Sequence, residues 1–175
     1  MSELTQSRLK ELLHYDPVTG VFTWLPRSGP GSYCTGLRAG HLSKYKGYRH
    51  IGVDRVLYKA HRLAWLYVYG TWPVSEVDHA NGDPDDNRIA NLREATTTQN
   101  CGNAKRRSDN VSGRKGVYWH ARDQKWAALL RHKKIRYYLG YYDDPDEAAR
   151  AYDRKARELY GEFARTNFGE RGVAR

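Results

Sequence analysis

The sequence predicts an α+β protein in two parts: helices with short strands first, then a three-stranded antiparallel sheet packed on one helix. Three observations carry this. Aromatic residues make up 13% of the 175, with 14 Tyr and 5 Trp, while apolar residues reach only 39%. Such a tyrosine-rich, leucine-poor chain suits small, partly exposed sheets and is too aromatic for wholesale disorder. Charge is divided unevenly: residues 1–102 carry a net +2 and residues 103–175 a net +8 of the total +10. Finally, strand-like runs replace helical spacing after a polar stretch at 103–114.

These numbers also exclude classes of function. The length suits one ordinary domain or two small ones. No apolar run approaches the ~18 residues of a membrane span, and no helix-like stretch sets basic residues against a Leu/Phe face, so no membrane partner is expected. Met1-Ser2-Glu3-Leu4 does not look like a signal peptide. Cys34 and Cys101 are the only cysteines and have no CxxC spacing. A disulfide framework and a structural zinc are therefore not expected, and an intracellular, cytoplasmic setting is. A pI near 9.6 with clustered Lys/Arg is the footprint of a nucleic-acid binder. From Lys105 to Arg136 there are 11 basic and 2 acidic residues.

In chain order, residues 2–14 read as a helix capped by Ser2, with Leu4, Leu9, Leu12 and Leu13 as its stripe. Asp16–Gly20 is a turn, Val21–Trp24 a strand, and 26–40 a Gly/Ser/Pro loop. Tyr48–Val53 and Arg55–Lys59 form a hairpin turning at Val53-Asp54. Ala60–Tyr69 is a helix ended by Gly70 and Pro73. Val77-Asp78-His79 is a brief strand before the turn dipeptide Asn81-Gly82, with Ile89 and Leu92 as later anchors. Thr96 or Thr97 caps a helix to about Asn103. The strands of the second part are 115–120, 125–131 and 134–142, before a helix opened by Pro145 and closed by Gly161.

Chemistry concentrates between Val77 and Asn100. Asp78 and His79 are adjacent, with Asn91 12 residues past His79 and Asn100 21 past it. Strand, loop, strand and helix of this length can fold back to bring Asp78, His79 and Asn100 together. A carboxylate plus an amide oxygen suits a hard cation, one Mg²⁺ or Mn²⁺, with water and phosphate oxygens completing its shell. An imidazole of unperturbed pKa near 6.5 can take a proton from an attacking water. Its other nitrogen needs an acceptor, which Asn91 or a backbone carbonyl could supply. The plainer reading is a turn closed by Asp78 and His79, with Asn87 and Asn91 as turn residues. His61 reads as a packed helix residue.

The run Val77-Asp78-His79, Gly82, Asn87, Asn91-Leu92-Arg93, Ala95-Thr96 and Gln99-Asn100 resembles the HNH (ββα-metal) endonucleases of phage and intron homing type. The upstream His61–Trp65, Gly70 and Pro73 resemble that family's lead-in helix. The resemblance implies Asp78 and Asn100 as metal ligands, His79 as general base and Asn91 as the strut of the loop. The last position is His in many relatives and Asn here.

Residues 114–142 interleave cations with aromatics. A twisted antiparallel sheet can enter a major groove, reading base edges with Arg while aromatics pack on sugar or base. Gly116-Val117, Lys125-Trp126, Arg136, Leu139-Gly140, the Glu147–Asp153 helix and Asn167-Phe168 resemble the plant ethylene-response-factor (APETALA-type) DNA-binding domain. That resemblance implies that Lys115, Tyr118, Arg122, Lys125, Trp126, Arg131, Arg136 and Tyr138 face DNA. Tyr118 and His120 stand where the plant domains usually carry Arg, which implies a different base sequence.

The expected organisation is 1–43 as an N-terminal helix and small strand region, 44–104 as the nuclease module, 105–113 as a basic linker, 114–168 as the DNA-binding domain, and 169–175 as a tail. The expected function is a site-preferring, homing-type endonuclease that cuts or nicks double-stranded DNA, with no small-molecule cofactor, in the cytoplasm of a bacterial host. The alternative is a DNA-binding regulator whose nuclease module is silent.

Overall fold

The computed structural model describes residues 3–26 and 34–169. Ser2, part of the 26–40 loop and most of the tail lie outside them. The chain forms two compact units, Met1–Glu94 and Ala95–Arg175.

The first unit opens with α1 (Gln6–Leu12), shorter than the sequence suggests and capped by Thr5, whose hydroxyl accepts from Arg8 N–H. Leu13 leaves the helix because it pairs in a sheet: β1 (Leu13–Asp16) runs antiparallel to β2 (Val21–Trp24). Helical spacing of the leucines concealed β1, since Leu9, Leu12 and Leu13 are all buried in one core whichever element carries them.

A three-stranded sheet follows, ordered β3 (His41–Leu42), β4 (Arg49–Val53), β5 (Val56–Lys59). Its β4–β5 turn is Asp54-Arg55, one residue later than expected, and both residues have positive φ. Two such residues suit a two-residue hairpin turn whose twist matches the strands. Helix α2 (Ala60–Tyr69) buries Leu63, Ala64 and Leu66 against Leu9, Phe22 and Ile51. It ends at Gly70, which is left-handed as a helix stop requires. The paired strands β6 (Glu76–His79) and β7 (Leu92–Ala95) complete the unit, with Ala95 just past the division.

In the second unit, β8 (Val117–His120), β9 (Lys125–His132) and β10 (Ile135–Tyr142) form an antiparallel sheet ordered β10-β9-β8. Helix α4 (Pro145–Tyr160) starts with Pro at its first turn and Asp144 as cap. Its buried Ala148, Ala149, Ala151 and Ala156 let it lie close on Val117, Ala128 and Leu130. Gly116 explains the closeness at one point: a Cβ there would stand 2.0 Å from the Tyr152 ring. The segment after α4 is latched by the buried Asp153, which accepts from the backbone N–H groups of Asn167 and Phe168. Asn167 in turn bonds both the N–H and the carbonyl of Lys115.

Helix α3 (Thr97–Asn103) carries a full capping box between Thr96 and Gln99. It makes its contacts inside the second unit, where Gly102 lies under the Tyr160 ring and accepts from Arg165 N–H. The division between the two compact units falls ahead of α3.

Candidate active site and nucleic-acid interface

Asp78 and His79 are neighbours on β6. Asp78 turns to β7, where Arg93 Nε and Nη2 reach its Oδ2 at 3.1 and 3.0 Å. His79 has its Nε2 3.4 Å from Asn87 Oδ1. Both side chains are buried, each about 4% exposed.

Asn87 itself is 1% exposed and cannot rotate freely. Its Nδ2 donates to Asp85 O at 3.0 Å, which directs Oδ1 at the imidazole. Nε2 of His79 is then the protonated donor, and Nδ1 the basic nitrogen. The sequence pointed to Asn91 or a carbonyl for this task. Asn91 does something else: its Oδ1 accepts from Asn81 N–H, its Nδ2 donates to Asn81 Oδ1 and Asp86 O, and its carbonyl accepts from Ala80 N–H. These four bonds tie both ends of the 80–91 loop.

The N-terminal region holds the same loop from outside. Tyr15 O–H donates to Asn87 O at 2.7 Å, Ile89 N–H to Pro17 O, and Arg49 forks onto Asp85 with two 2.9 Å bonds. Gly20 packs so tightly that a Cβ would meet Arg88 N at 2.4 Å. Residues 13–24 thus support the loop carrying Asn87. Tyr15 and Arg49 escaped sequence reasoning because each works through a partner far along the chain, 72 and 36 residues away; Asn87 and Arg93 stood in the motif but without the roles seen here.

His79 also packs against His61, ring centroids 4.9 Å apart, with Tyr48 5.3 Å from His61. Burial lowers the pKa of His79 below its usual 6.5, opposed by the Asn87 bond and the Asp78 charge. Burial, then repulsion from His79, lowers that of His61 to about 3. The folded unit keeps His61 neutral where an unfolded chain protonates it, so stability is expected to fall as pH drops from about 6.5 towards 3. Urea unfolding across that range would show it, and His61→Phe should flatten the slope.

Asn100 stands half-buried on α3, in the second unit. Among the described residues no group of three or more His, Cys, Asp or Glu is gathered for a metal. A carboxylate such as that of Asp78 and an amide oxygen such as that of Asn100 are each donors of the type a hard divalent ion takes.

In the second unit the sheet register sorts the cationic and aromatic residues. Tyr118 opposes Ala127, His120 opposes Lys125, Tyr138 opposes Leu129, and Arg136 opposes Arg131. These lie on the face away from α4. A bulge between Tyr138 and Gly140 returns Tyr141 to that face, opposite Ala127 and 5.1 Å from the His120 ring. Tyr118, Tyr138 and Tyr141 are exposed there, and Arg122 is exposed in the β8–β9 turn.

Two expected members lie elsewhere. Trp126 is on the helix side, packed with Val117, Ala128 and Tyr142, because it sits one strand position from Lys125 and Ala127. Lys115 turns inward: its Nζ donates to Gly102 O at 2.8 Å and Arg165 O at 3.3 Å. Burial, aided by the Arg165 charge, lowers its pKa to about 8.

An HNH endonuclease domain followed by an AP2 DNA-binding domain is the class to which the comparisons assign the chain. The HNH endonuclease family model matches residues 58–101, across the division between the units, and the AP2 domain model matches residues 112–162. The chain belongs to the HNH endonuclease family. It is 32% identical over 112 residues to Protein 3.8 of Escherichia phage T7, covering 62% of this chain and 92% of that protein. Over 46 residues, a quarter of this chain, it is 48% identical to an ethylene-responsive transcription factor of Arabidopsis thaliana. Ethylene-responsive transcription factor 3 of Nicotiana tabacum is 50% identical over a stretch of the same length. The chain spans about a fifth of those plant proteins. No solved structure matches it. Among the described residues no helix is long and apolar enough to cross a membrane.

Proposed function

We propose that the protein is a site-preferring, homing-type endonuclease that nicks or cuts double-stranded DNA in the cytoplasm of a bacterial host. The reading is supported most by one observation: a buried imidazole, His79, with Nε2 3.4 Å from the side-chain oxygen of Asn87, next in the chain to the buried Asp78. His79 Nδ1 takes the proton of the attacking water. Asn91 keeps the loop in place. Asp78 and Asn100 would be the residues to hold one Mg²⁺ or Mn²⁺, which would supply charge stabilisation at the phosphate and the leaving oxygen. Arg93 holds the Asp78 carboxylate through an ion pair at 3.0 Å.

The C-terminal sheet anchors the enzyme, raising the local concentration of a weakly selective active site on DNA. Arg131 and Arg136 face each other across β9 and β10, both exposed. Like charges directly opposite are destabilising unless a polyanion lies between them.

Supercoiled plasmid incubated with protein and Mg²⁺ or Mn²⁺ is expected to become open-circular or linear, and EDTA to stop it. A plasmid left intact by either metal while still being bound would replace this reading with a DNA-binding regulator whose nuclease module is silent.

A further inference from the structure

Residues 104–116 are not a free tether. Ser112 Oγ donates to Val117 O at 2.7 Å and accepts from Arg114 N–H. Asn110 Nδ2 donates to Arg114 O and Val117 O. The loop is thereby folded back on the start of β8. A run of like charges normally extends to relieve its own repulsion, yet this fold gathers Lys105, Arg106 and Arg107 along an open groove of about 350 Å³ that Lys115 and Gly116 also line.

Neutralisation within the groove is slight. Asp109 is its single carboxylate and is spent on Arg107 in a solvent-exposed pair, which contributes little. Among the described residues Arg106 Nη1 donates to carbonyls, Asn110 O at 3.0 Å and Arg107 O at 3.5 Å. Lys105 is exposed and has no carboxylate partner among the described residues. The ligand that such a cluster fits is a phosphate group.

We infer that this folded loop is a second phosphate-binding site, gripping the backbone of the same duplex that lies on the sheet. The position supports that source. Gly116 leads directly into β8, and Tyr118, on the outer face, is two residues on, about 7 Å along a strand. This inference rests on the DNA-binding reading of the sheet. Its contribution is to position and affinity, without sequence preference, since phosphates carry no base information.

The test uses the full chain with Lys105→Gln and Arg106→Gln together, and Arg131→Ala with Arg136→Ala as comparator. Both loop residues are exposed, so an unchanged melting midpoint is expected to show an intact fold; Lys105→Ala alone serves if the pair unfolds. Each lost phosphate contact lowers the dependence of log affinity on log salt by about 0.9. The loop pair is expected to reduce that slope by about 2, so that the fall in affinity between 50 and 200 mM salt shrinks about tenfold. The loss should be equal for all duplex sequences. An unchanged slope, with the Arg131/Arg136 variant weakened, would overturn the loop site and leave the sheet reading standing. No change in either variant would overturn both. Inorganic phosphate at constant ionic strength gives the remaining arm: if it shifts the loop's amide resonances while the DNA slope is unaffected by the loop variant, the site takes free anions and the duplex assignment fails.

Discussion

His79→Ala is expected to lower metal-dependent DNA cleavage by about 10²–10⁴-fold, the usual contribution of a positioned general base, while DNA affinity stays within a factor of two. Retained cleavage would remove His79 from the chemistry. The imidazole is buried beside His61 and Asn87, so a control is needed against loss of packing. Asn87→Ala supplies it. It removes the acceptor that keeps the proton on Nε2 and should lower kcat with KM for DNA little changed. Asn87→Asp keeps an acceptor and should restore much of the rate; equal loss in both variants would mean that Asn87 only fills space. The pH profile gives a further check. A general base works deprotonated, and burial holds the His79 pKa below 6.5. Cleavage should therefore persist below pH 6.5 before its acid limb appears, and an acid limb above 6.5 would contradict the environment seen at β6.

Arg131→Ala combined with Arg136→Ala is expected to weaken duplex binding strongly, lower its salt slope by about 2, and leave the free protein slightly more stable. The two effects have opposite signs because the side chains face each other in register. Cross-strand like charges cost roughly 0.2–1 kcal/mol without a ligand, and charge-assisted contacts to phosphate or guanine return more than that when DNA is bound. Binding titrations at several salt concentrations, beside thermal unfolding without DNA, would measure both. Equal affinity for variant and parent would show that the sheet does not meet DNA with this face. Trp126→Ala separates recognition from packing. Trp126 lies with Val117, Ala128 and Tyr142 on the α4 side, so its loss should cost up to about 3 kcal/mol of stability and leave the salt slope unchanged.

Legibility in the sequence followed the range of the interactions. Helix α2 and its Gly70 stop, the Thr96 capping box, the Pro145 start of α4 and the three strands of the second unit were all readable, since each depends on residues within a few positions. β1 was hidden because Leu12 and Leu13 fit a helical stripe equally well, and only pairing with Trp24 pulls Leu13 into a strand. Asp78 and His79 stood out as a pair. Their partners did not: Arg93 is 15 residues from Asp78, and Asn87 looked like an ordinary turn residue. Trp126 was misplaced because alternation assigns residues to two faces without saying which one meets the helix.

Spacing, composition and turn residues alone established a basic, aromatic three-stranded sheet behind a helix-and-strand first part, for those features are written in short-range order. It was the resemblance to HNH endonucleases that marked Asp78, His79 and Asn100 as a nuclease motif. Tertiary structure alone decided which nitrogen of His79 is basic, that an N-terminal hairpin supports the loop behind it, and that Lys115 looks inward. Those outcomes depend on bonds such as Tyr15 to Asn87, 72 residues apart, and on which buried polar atom finds which partner. A buried donor or acceptor must be satisfied somewhere, but only the folded chain shows where.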